Sequence, residues 1–66
     1  MEEIDIWRTA AEMLRQFQAD AGVTAALRAD ALLNRGDVAG FGVWKRVVAA
    51  INELERTSRS ETERLN

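Results

Sequence analysis

Apolar residues in this chain recur at spacings of three and four from Trp7 to Leu54, they do not alternate with polar ones, and no proline interrupts them. A recurrence near 3.6 residues admits helices and leaves no stretch for a half-buried strand. The pattern fits three times. It predicts an all-α fold, a compact three-helix domain within residues 1–57, with helices over 5–21, 24–35 and 37–57 and a polar tail over 58–66.

In the first helix Trp7, Ala10, Ala11, Leu14, Phe17 and Ala21 share a face, with Asp5 as the N-cap and Gly22 closing the C-terminus at positive φ. The second places Ala25, Ala26, Ala29, Leu32 and Leu33 on one stripe and stops at Gly36. The third starts at Asp37 as N-cap and carries Phe41, Trp44, Val47, Val48, Ile51 and Leu54. Connections this short force neighbouring helices to pack antiparallel or at a sharp angle. The bulky core is expected from Trp7, Leu14, Phe17, Leu32, Leu33, Phe41, Trp44, Val48 and Ile51, with Val23 covering the first turn. After Thr57 the segment SRSETERLN loses the apolar period and reads as a frayed helix end or disordered tail.

Sixty-six residues make one small domain, with no cysteine or histidine to supply a disulfide or a zinc site. Tight helix packing or self-association must compensate. A net charge of -2 argues against a protein whose main task is neutralising phosphates. The acidic start MEEIDIW lacks the basic segment and long apolar core of a signal peptide, and no apolar run has membrane-spanning length. No membrane contact is expected, and the cytoplasm is the expected compartment.

The stretch NRGDVAGFGVWKR, 34–46, concentrates the remaining functional signals. Gly36, Gly40 and Gly42 have neither the spacing nor the lysine–hydroxyl pair of a phosphate-binding loop, and no strand precedes them. They read instead as a helix stop followed by a glycine-thinned first turn. Two glycines inside a helix cost on the order of 1 kcal/mol each, so close contact with the first helix or with a second subunit is expected to offset them. Trp44-Lys45-Arg46 pairs an aromatic with two cations, but on a helix the three diverge, leaving Trp44 on the apolar face. A helix-turn-helix is disfavoured, because the candidate recognition helix opens Asp37-Val38-Ala39-Gly40-Phe41, acidic and apolar.

No catalytic constellation is evident. Glu53 and Glu55 diverge on a helix, Glu61 and Glu63 lie in the tail, and Ser58 and Ser60 have no adjacent base. Arg8 and Glu12, four apart, form a weak surface pair, while Arg28 is placed to reach a carboxylate on a neighbouring helix and Asp30 to meet Asn34.

Trp7 with Ala10-Ala11 and Leu14, Arg28-Ala29-Asp30, Leu32-Leu33, Gly36-Asp37, Gly40, Trp44, Ala50-Ile51 and Leu54 together resemble a group of small bacterial, mostly α-proteobacterial, all-helical proteins with no assigned activity. The resemblance covers roughly residues 4–56. It implies a bacterial cytoplasmic protein and nothing about chemistry.

The sequence therefore predicts a non-enzymatic module with no cofactor or metal and implies no small-molecule substrate. It acts through protein contacts, as a homodimer, adaptor or regulatory subunit, with Gly40, Phe41, Trp44, Val47, Val48 and Ile51 as the partner-binding residues. The alternative is a nucleic-acid-associated accessory protein using Arg28, Arg35, Lys45 and Arg46.

Overall fold

Ile6, Ala10 and Met13 stand four and three residues apart, and their burial fixes which side of the first helix meets the core. The computed structural model describes residues 2–65, with side chains through residue 58. It is all-helical and compact: α1 (Glu3–Phe17), a 3₁₀ turn (Gln18–Asp20), α2 (Ala21–Asn34) and α3 (Val38–Leu65). No non-helical residue separates α1 from α2. The chain thus forms two continuous helical runs, Glu3 to Asn34 and Val38 to Leu65, where three separately connected helices were expected.

The first run bends where the sequence showed no glycine. Gln18 adopts φ 51°, ψ -121°, donates its N–H to the Leu14 carbonyl, and accepts from the N–H of Ala21. A glutamine in this region costs on the order of 1–3 kcal/mol of backbone strain. What offsets it is the burial of Ala21, Ala25 and Ala29, all fully inaccessible, which the reversal brings against α3. Gly22, expected to end the first helix, lies inside α2. A methyl there would meet only Asn52 Oδ1 at 3.8 Å and Ile51 Cγ2 at 4.0 Å, ordinary contacts that place the start of α2 beside residues 51–52 of α3. Asp5, expected as N-cap, sits in the first turn, where its charge favours the helix dipole; Glu2 is the N-cap and makes no side-chain bond.

The second junction follows its local chemistry. Gly36 has φ 82°, its N–H donates to the Leu33 carbonyl at 2.9 Å, and the Asp37 N–H donates to the Leu32 carbonyl at 2.9 Å. That is a Schellman closure with glycine in the left-handed position. Asp37 then caps α3: its Oδ1 accepts from the Gly40 N–H at 2.8 Å and its carbonyl from the Phe41 N–H at 3.0 Å. A Cβ at residue 40 would stand 2.7 Å from Asp37 Oδ2, so Gly40 leaves room for the capping carboxylate. Nothing lies within 4 Å of that position on Gly42. Within the chain, the close neighbour expected from the first helix is therefore, at Gly40, the Asp37 carboxylate of the turn itself.

The buried cluster comprises Ile6, Ala10, Met13, Ala21, Ala25, Val47, Ala50 and Ile51, with Leu14, Phe17, Val43, Trp44, Val48 and Leu54 half-buried around it. Of the bulky core expected from the sequence, Ile51 alone is fully buried. Trp7, Val23 and Leu33 are exposed, and Leu32 and Phe41 are half-buried. In α1 the buried stripe is rotated one position, to Ile6 and Met13 in place of Trp7 and Leu14. Both stripes satisfy the helical period, and the larger, polar-tipped tryptophan takes the rim. At 28 residues α3 is about 42 Å long, twice α1 or α2, and the molecule's longest dimension is 46 Å. Its backbone stays helical to Leu65, eight residues past the expected end, through a run with no proline or glycine; Asn66 lies outside the described residues.

Two substitutions at the junctions have opposite expected signs. Gln18→Gly relieves more strain than it costs in chain entropy and raises stability by about 1 kcal/mol, whereas Gly36→Ala lowers it by about 1–2 kcal/mol, both read by urea unfolding. Gly40→Ala is expected to stabilise by about 1 kcal/mol when Asp37 is already alanine and by distinctly less when the capping carboxylate is present; a double-mutant cycle reads the coupling.

Candidate functional site

Side chains around Trp44 line an open surface groove. α1 supplies Arg8, Thr9, Glu12, Met13 and Gln16, α2 supplies Arg28 and α3 supplies Trp44, around a volume of about 450 Å³. Met13 is nearly inaccessible and forms apolar lining, while the two arginines are exposed. Arg28 places its guanidinium carbon 5.2 Å from the Trp44 ring centroid, a cation–π contact in place of the carboxylate partner expected for it. This also fixes α2 antiparallel to α3, with Gly22 beside Ile51 and Arg28 over Trp44.

Glu12 does not pair with Arg8. Its carboxylate accepts from Arg15 at 2.6 and 2.7 Å and from Gln16 Nε2 at 3.2 Å. A glutamate preceding its cation along a helix is the favoured order, and Arg8 precedes Glu12. The Arg15 hydrogen bond, above all, holds the Glu12 carboxyl below its ordinary value. Among the described residues, neither Arg8 nor Arg28 has a hydrogen-bond or ion-pair partner. Two uncompensated cations therefore face one groove of a chain whose net charge is -2.

The second groove, about 210 Å³, lies between α1 and α3, lined by Ile6, Trp7, Ala49 and Ala50 and flanked by Glu3 and Arg46. Arg46 reaches Glu3 at 3.4 Å, a loose surface pair. Arg28 and Arg46 thus belong to different grooves and Arg35 to the turn after α2, so the cations Arg28, Arg35, Lys45 and Arg46 are divided among separate parts of the fold.

The residues expected to bind a partner are also divided. Val47 and Ile51 are 0% accessible and fill the chain's own core, so they present no surface; for these two the expectation is corrected. Gly40, Phe41, Trp44 and Val48 are half-buried. Exposed apolar side chains lie elsewhere, at Ile4, Trp7, Val23, Leu27, Leu33 and Val38. Val23 and Leu27 are the most informative, at 64% and 63% exposure on the side of α2 opposite its buried alanines. The sequence carried a signal for them: α2 has only Arg28 and Asp30 as charged residues and is apolar nearly all round.

No described helix is long and apolar enough to cross a membrane. No protein family, curated protein or solved structure matches this chain.

Because the folded state holds the Glu12 carboxyl low, the stability from its pairing is complete above the ordinary value of 4.5 and is lost as pH falls through the lowered one. The melting temperature is expected to decline as pH falls below about 4.5, and Glu12→Gln to make that decline shallower, as followed by circular dichroism.

Proposed function

We propose that this protein is a small, non-catalytic helical interaction module that self-associates through the outer face of α2. One observation carries the reading: Val23 and Leu27 project from α2 roughly 180° away from Ala21, Ala25 and Ala29, at one residue per 100°. A helix apolar on both sides is normally covered on both sides. α3 covers one side within the chain, and a second copy offers the same stripe for the other, as a two-fold contact requires.

The unmatched apolar face of α2 is what locates the contact. The expected setting is the cytoplasm, with the module acting there as a homodimer or regulatory subunit.

Size-exclusion chromatography with light scattering over a dilution series is expected to show a dimer dissociating to a monomer. Val23→Glu and Leu27→Glu should each weaken it at least about tenfold while leaving the helical circular dichroism intact, since both positions are exposed. A monomer at millimolar concentration, or a dimer indifferent to both substitutions, refutes the assignment.

A further inference from the structure

Arg28 is the unusual member of the groove beside Trp44. Its guanidinium is held over the Trp44 ring, so its position is set by stacking, while its N–H donors have no acceptor among the described residues. A guanidinium fixed in this way keeps its fork of donors available for a carboxylate or phosphate. Arg8, equally without a partner, lines the same groove from α1. The nearby Glu12 does not cancel the pair, because Arg15 and Gln16 already engage both its oxygens. Thr9 and Gln16 add polar groups to the wall, and Met13 and Trp44 supply an apolar lining.

We propose that this groove binds a small organic anion. Its carboxylate or phosphate group sits between Arg8 and Arg28, and its apolar body lies against Met13 and Trp44. The volume of about 450 Å³ lies in the range of small-molecule sites, about 300–1,000 Å³. The α1 wall, from Arg8 to Gln16, is only about 12 Å long, which suits a compact ligand better than an extended peptide. Carboxylates and phosphates share the chemistry that two arginines recognise, so both belong to the ligand class. The site is separate from the outer face of α2 and does not depend on self-association.

Trp44 reports on the groove directly once the chain's second tryptophan is removed by Trp7→Phe. In that background, benzoate and phenyl phosphate serve as probes, with benzamide as the neutral counterpart of benzoate and inorganic phosphate as the anion without an apolar body. At least one aryl anion should change Trp44 emission saturably, with a Kd on the order of 1 mM or below, and bind more tightly than inorganic phosphate. Arg8→Gln and Arg28→Gln should each weaken binding about tenfold, since a hydrogen bond to a charged group is worth about 1.5–3 kcal/mol. Lys45→Gln, removing an exposed cation outside the groove, should leave it unchanged. Both arginine variants should keep the native circular dichroism, because the side chains are exposed. No saturable response to either aryl anion, equal binding of benzamide, inorganic phosphate binding as tightly as the better aryl anion, or an affinity indifferent to both arginine substitutions would overturn the proposal.

Discussion

Everything else in this fold depends on how closely α2 can approach α3. Ala21, Ala25 and Ala29 put nothing larger than a methyl at the fully buried positions of α2. Small side chains let two helix backbones approach, so the contact gains dispersion energy from many atoms despite its modest apolar volume. Val47 and Ile51 are the largest side chains sealed completely within the core, and they supply bulk that the alanines lack. The same economy leaves the larger residues of α2, Val23 and Leu27, pointing outward. Interior packing and exposed surface are thus two results of one sequence choice.

The two junctions illustrate what a sequence discloses. Gly36 and Asp37 were legible because their roles rest on the chemistry of single residues: glycine accepts a positive φ and a short carboxylate caps a helix. The reversal at Gln18 was not legible, because glutamine has no preference for φ 51° and the bend is imposed by tertiary packing. Gly22, four residues later, offered the conventional stop signal and proved to lie in the first turn of α2. Local chemistry wins where no larger burial competes with it; at Gln18 the buried alanines compete and prevail.

Periodicity had a related limit. It showed that α1 is helical without choosing between the Trp7–Leu14 and Ile6–Met13 stripes, which differ by one position of the same period. It could not separate an intrachain core from an interface either, since both use apolar residues at helical spacing. Val47 and Ile51 looked like partner-binding residues for that reason, and the core took them. The arginine groove escaped for a different reason: Arg8, Arg28 and Trp44 come from three helices, and no spacing along the chain links them.

The strained reversal at Gln18 bears on the order in which the chain can fold. Both α1 and α2 contact α3 more extensively than they contact each other, so an isolated α1–α2 hairpin would carry the cost of that backbone conformation with little packing to offset it. The favourable route docks each short helix on α3 and lets the bend form as a result. α3 then acts as the template of the domain, and a connection that looks like a simple tight link becomes one of the last parts of the molecule to reach its native conformation.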